Sequence, residues 1–247
     1  MILVTAHDGC EGTPSNTLDS VREGIESGAD IIEVDVRATK DGIAVLSHSS
    51  TIKTVSGKTI PLSEMVFNDI LKLEKDKEIR FEHPEGKITK LDDIIDLIKG
   101  SGIVINLDVK EDESIESIVK TINDQKMLDN VFISGCERIR ASFFKHNYPE
   151  FQVLLNIGTD LSHLVLTDNI SAAKTIYRYA SLAGCCGINL PYQFCSSEIV
   201  EFMHKRFLPV SVWTVDKPEE MKKIAKMSVF SITTNRPRKL REILDGI

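Results

Sequence analysis

Ile31-Ile-Glu-Val-Asp-Val36 is an apolar run of strand length carrying two acids that stand two residues apart. Successive side chains of an extended strand point to opposite faces, so Glu33 and Asp35 share one face. On either side of it, apolar runs of similar length recur near residues 2–6, 103–109, 131–134, 152–155, 187–190, 210–214 and 230–233. Segments of helical period lie between them, at 16–27, 91–99, 114–123, 137–145, 171–179, 196–205, 218–226 and 237–244. Eight strand–helix units that begin with a strand and end with a helix predict a closed (β/α)8 barrel, an α/β TIM barrel, rather than an open doubly wound sheet. Neither a GxGxxG nor a Walker A string occurs, which also counts against the open nucleotide-binding folds.

The length of 247 residues suits such a barrel in one piece, and a single domain over residues 1–247 is expected. One irregularity follows the second barrel strand. A further strand-like run at 43–47 leads into a polar stretch with a short helix at 63–73, so residues 49–90 read as a small insertion on the rim. Asp216 and Asn235 precede the last two helices, with Pro218 and Pro237 in their first turns, and both read as capping residues.

Hydrophobic residues make up 42% and charged residues 27% of the chain, a globular composition with enough apolar residues for a sizeable core. The net charge of −7 argues against nucleic acid, which is bound by clustered Lys and Arg, so an anionic ligand needs local positive charge or a metal. The five cysteines form no CxxC pair, and reduced thiols in a cytoplasmic protein fit them best. No apolar run reaches the length of a membrane span and residues 1–6 read as a strand, so no stable membrane insertion is expected. The oligomeric state stays open.

Two carboxylates on the inner face of a buried strand repel one another and lose hydration unless a positive charge sits between them. A divalent cation is the natural occupant beside Glu33 and Asp35. Asp108, at the end of the run 103–109, is the third candidate ligand, and Lys110 shares its face. Three carboxylates without Cys or His at metal spacing favour Mg2+ or Ca2+ over zinc. His7 and His48 end neighbouring strand-like runs and suit proton transfer near neutral pH, whereas His83, His146, His163 and His204 read as structural. Trp213, near the end of the seventh strand, is expected to wall the barrel mouth.

These residues stand in an ordered set of motifs. They run Thr5-Ala-His-Asp-Gly9, Pro14-Ser-Asn-Thr17, Gly28-Ala-Asp-Ile-Ile-Glu-Val-Asp-Val36, Thr39-Lys-Asp-Gly42, His48, Asn106-Leu-Asp-Val-Lys110, Val212-Trp-Thr-Val215 and Thr233-Thr-Asn-Arg-Pro237. The set resembles the glycerophosphodiester phosphodiesterase family, with its His-Arg-Gly, Pro-Glu-Asn-Thr, Gly-Ala-Asp…Glu-x-Asp, Thr-x-Asp-Gly, His-Asp, Glu-x-Lys, Trp-Thr-Val and Thr-Asp-x-Pro stretches. The resemblance implies hydrolysis of a small-molecule glycerophosphodiester, in lipid metabolism, to a glycerol phosphate and an alcohol. It also implies metal ligands at Glu33, Asp35 and Asp108, an acid/base pair at His7 and His48, and substrate contacts from Lys110, Asp8 and Trp213.

The chain departs from the family pattern at Asp8 in place of Arg, Ser15 in place of Glu, Ser49 in place of Asp and Asp108 in place of Glu. The first change reverses the charge expected beside a phosphate. Asp8 could turn toward the metal, pair with Lys110 or Arg37, or be offset by a basic group from the 49–90 excursion. Two alternative readings stay open: a related phosphodiesterase with altered head-group specificity, and a ligand-binding barrel with impaired catalysis.

Overall fold

A strand covered by helices buries apolar side chains on its outer face, and its inner face is left to fill or line the barrel. The computed structural model describes residues 1–81, 86–158 and 161–246; His83 lies outside the described residues. In chain order the strands are β1 (Leu3–Ala6), β2 (Ile31–Ala38), β3 (Ala44–Leu46), β4 (Thr51–Lys53), β5 (Thr59–Pro61), β6 (Thr89–Lys90), β7 (Val104–Val109), β8 (Val131–Cys136), β9 (Val153–Asn156), β10 (Gly187–Pro191), β11 (Val210–Trp213) and β12 (Ser231–Thr234). Eight of them, β1, β2 and β7 to β12, pair in parallel, and β1 pairs with both β2 and β12, which closes the barrel.

The helices are α1 (Leu18–Glu26), α2 (Phe67–Lys75), α3 (Leu91–Ile98), α4 (Ile115–Gln125), α5 (Arg138–Asn147), α6 (Ser162–Thr167), α7 (Asn169–Ala183), α8 (Ser197–His204), α9 (Pro218–Ala225) and α10 (Pro237–Asp245). Ile32, Val34 and Val36 of β2 pack in the main core with Ile94, Ile95 and Ile98 of α3, so Glu33 and Asp35 take the other face. The same alternation leaves buried Thr5, Asn106, Ser134, Asn189, Ser211 and Thr233 on the strands, a polar barrel interior beneath an apolar jacket.

The described residues of segment 49–90, 49–81 and 86–90, have a small core of their own. β3 runs back antiparallel along β2, β6 pairs antiparallel with β3, and β4 and β5 form a separate hairpin. Ile52, Leu62, Met65 and Ile70 bury against one another there, with Val45 of β3 beneath them. The hairpin was not legible in a stretch read as polar, because strands of three residues are too short to display a period. The helix expected at 63–73 forms four residues later, as α2, after a turn of 3-10 helix at Leu62–Glu64.

Two local expectations are corrected. The first helix begins at Leu18 instead of residue 16, because Asn16 adopts a left-handed φ of 58° and Thr17 caps the helix through Ser20 N at 3.2 Å. Asp216 and Asn235 do not cap the last two helices, whose N-caps are Lys217 and Arg236 without side-chain cap bonds. They bond to each other instead. An additional helix, α6, precedes α7, and Asp168 caps the latter through Ser171 N at 3.0 Å. No described helix is long and apolar enough to cross a membrane.

Candidate active site

The register of β2 on β7 sets Glu33 opposite Asn106 and Asp35 opposite Asp108. Residues opposite one another in a parallel pair point to the same side, so the three carboxylates converge. Each offers an oxygen within 4.8 Å of the others. Lys110 reaches back over them, with Nζ 2.7 Å from Asp35 Oδ1 and 3.1 Å from Asp108 Oδ2. Burial alone would lower the Lys110 ammonium, but the fields of Asp108 and Asp35 outweigh it and hold it above its ordinary value. One ammonium does not balance the cluster. Burial, then the fields of Asp35, Asp8 and Asp108, push the Glu33 carboxyl well above the carboxylate range, and burial also raises Asp108. Asn106 Oδ1, buried on the strand beside Glu33, is an acceptor without a hydrogen-bond partner among the described residues. Oxygen donors carrying surplus negative charge fit a hard divalent cation.

Asp108 depends on a close approach of backbone. Gly135, at the end of β8, has φ 72°, and a Cβ there would fall 2.0 Å from Asp108 Oδ1 and 2.6 Å from Val109 O. Only glycine suits both the left-handed backbone and that contact.

His7 follows β1 and is held from three sides. Its Nδ1 lies 3.0 Å from Asp8 Oδ1, 3.2 Å from Asp8 O and 3.0 Å from Asn235 Oδ1, while Nε2 lies 3.9 Å from Glu33 Oε2. Asp8 is buried, with its side chain only 8% exposed. Its Oδ2 accepts from Asn16 Nδ2 at 2.8 Å, and the same amide nitrogen donates to Asp35 Oδ2 at 2.9 Å. Burial and the field of Asp35 raise the Asp8 carboxyl. Lys110 is taken by Asp35 and Asp108, and Arg37 by Glu111, so neither forms an ion pair with Asp8. His7, Asp8 and Glu33 form a second group whose ligand atoms lie within 4.8 Å of one another.

His48 stands two residues beyond β3. Ser47 N donates to Asp35 O at 3.0 Å, and Arg37 binds the His48 carbonyl through Nε at 3.2 Å and a terminal nitrogen at 3.0 Å. These bonds bring His48 to the same barrel end as the acids, while among the described residues its ring has no hydrogen-bond partner. A mouth cavity of 370 Å³ opens beside Asp108 and Lys110 and is walled by Trp213, Phe194, Pro191 and Arg140. Trp213 is 36% exposed. The basic groups of that cavity, Lys110 and Arg140, come from β7's end and α5, not from the 49–90 excursion.

The geometry therefore gathers seven of the eight expected site residues by direct contact or a shared cavity, and brings His48 alongside through its backbone. Asn16, Gly135, Asp216 and Asn235 were not among them. Asn16 stands in the motif Pro14-Ser-Asn-Thr17, at the start of the helix it was expected to open. Asn235 meets His7 across 228 residues, a proximity with no local signal.

The family model of the glycerophosphoryl diester phosphodiesterase family matches residues 7–239. A glycerophosphodiester phosphodiesterase of Caldanaerobacter subterraneus subsp. tengcongensis is 26% identical over 246 residues, covering 96% of each chain. Among solved structures, an Oleispira antarctica phosphodiesterase in complex with the product sn-glycerol-3-phosphate superposes with a TM-score of 0.78 at 20% identity, covering 98% of this chain and 96% of that one. A glycerophosphodiester phosphodiesterase from Thermotoga maritima gives 0.77 at 21% identity, covering 98% of each chain.

Proposed function

The chain belongs to the glycerophosphoryl diester phosphodiesterase family, and from that premise we propose that it hydrolyses glycerophosphodiesters to a glycerol phosphate and an alcohol. The observation that carries the reading is the convergence of Glu33, Asp35 and Asp108 beside Lys110, with the Nε2 of His7 turned toward them. Glu33, Asp35 and Asp108 would hold one Mg2+ or Ca2+, which when bound neutralises charge growing on the phosphoryl oxygens. Lys110 contributes a fixed positive charge to the same oxygens. His7 and His48 act as the acid/base pair: one takes the proton of the attacking oxygen, the other gives a proton to the departing alcohol oxygen. Trp213 offers an apolar wall for the alcohol. We read residues 1–247 as one domain with 49–90 on its rim, working in the cytoplasm on a small molecule.

Turnover of glycerophosphocholine and glycerophosphoethanolamine, measured with Mg2+ or Ca2+ and after chelation, tests the reading. Release of glycerol phosphate that stops on chelation and returns with the cation is expected. Absence of release from either substrate with both cations would remove it. A diester with a different head group is the second reading, favoured by the loss of the Arg that the family pattern has at position 8.

A further inference from the structure

Asp8 stands where the family pattern has Arg and a substrate contact is expected, but a carboxylate there opposes an anionic substrate. Its surroundings point elsewhere. We propose that Asp8 is a positioning residue for His7: with Asn235 it holds Nδ1 as the protonated nitrogen and leaves Nε2 as the nitrogen that exchanges protons at the site. The inference rests on His7 being one of the acid/base pair.

The Nδ1 of His7 faces the Asp8 carboxylate at 3.0 Å, the Asp8 carbonyl at 3.2 Å and the Asn235 side chain at 3.0 Å. A backbone carbonyl only accepts, as does a carboxylate when ionised. The amide of Asn235 could present either end, but its nitrogen is committed: Nδ2 donates to Asp216 Oδ2 at 2.8 Å, while the backbone N donates to Asp216 Oδ1 at 2.8 Å. Asp216 thus fixes the amide, the amide oxygen faces His7, and all three neighbours of Nδ1 are acceptors. The neutral ring then carries its proton on Nδ1 and its lone pair on Nε2, which lies on the Glu33 side. Asp8 cannot swing into the mouth without breaking its bond to Asn16, which also holds Asp35. The exchange of Arg for Asp therefore trades a group that would touch phosphate for one that orients the base.

Two measurements test this on the full chain. In the 15N spectrum of the wild-type protein at a pH where the ring is neutral, His7 is expected as the Nδ1–H tautomer, and the double variant Asp8→Ala with Asn235→Ala as a mixture of both tautomers. In steady-state kinetics, Asp8→Ala is expected to lower kcat by roughly tenfold or more while KM stays within about twofold. An Nε2–H tautomer in the wild type overturns the proposal, as does an Asp8→Ala enzyme with intact kcat and a lowered KM, since Asp8 would then act on the substrate. If the wild type turns over no glycerophosphodiester, the hydrolase reading fails, and the spectrum alone still decides the Asp8–His7 geometry.

Discussion

Asn16 is the hinge of the site at the scale of single residues. Its left-handed φ of 58° suits Asn better than most side chains, and every polar atom of its amide that is placed has a partner: Oδ1 accepts from Asp35 N at 3.0 Å and Nδ2 bridges Asp8 and Asp35. Asn16→Asp puts a third carboxylate where the bridging donor stood, so a fall in thermal stability of the metal-free protein is expected, larger than for an exposed Asn→Asp change; differential scanning calorimetry checks it. Gly135→Ala tests the close approach of β8 to Asp108. Contacts of 2.0 and 2.6 Å cannot be relieved by a rotamer, because one partner is backbone. The β8 end must move, and Asp108 with it. The expected outcome is a protein that keeps its circular dichroism but binds Mg2+ at least tenfold more weakly by calorimetry.

Among elements, the return strand β3 couples the rim to the chemistry. It pairs with β2 through Val36–Leu46 and Ala38–Ala44, so the chain carrying His48 comes back alongside Asp35. The small core above it is held by few side chains, with Ile70 fully buried on α2. Ile70→Ala removes about 2–5 kcal/mol of packing from that local cluster. Residues 49–81 are expected to become sensitive to limited proteolysis while the barrel stays resistant, and kcat to fall with His48 less firmly placed. His48→Ala itself is expected to lower kcat by roughly a hundredfold with cation binding unchanged, as for a positioned acid or base.

For the whole molecule, the barrel tolerates an acid cluster in its mouth at a cost in stability. Burial and neighbouring carboxylates raise Glu33 far above its ordinary range. A group whose folded value is raised contributes stability fully present below its unfolded value and lost as the pH climbs through the folded one. Metal-free protein is therefore expected to lose Tm as the pH rises from the ordinary glutamate range toward neutrality. Saturating divalent cation is expected to reverse the loss, by about 2.7 kcal/mol at a hundred times Kd. Glu33→Gln is expected to raise the metal-free Tm at neutral pH and to abolish the gain on adding cation. Thermal melts across pH, with and without Mg2+, check both.

What the sequence determined by itself is what local periodicity encodes. The alternation in Ile31–Val36 puts Glu33 and Asp35 on one face whatever lies around them, and eight strand–helix units in succession specify the closed barrel, its order and the strand ends where His7, Asp108, Lys110 and Trp213 emerge. Side-chain pairing across the closed barrel is not local. Asp216 and Asn235 looked like caps because a polar residue before a helix satisfies free backbone donors nearby. Closure of β1 onto β12, with Ala6 opposite Thr234, instead set Asn235 against His7. Likewise Asp8, whose charge opposed the expected phosphate contact, acquired its partners only when α1's entry turn brought Asn16 over Asp35. Periods of two and 3.6 residues say which way a side chain faces; only the packed barrel decides which distant donor or acceptor meets it there.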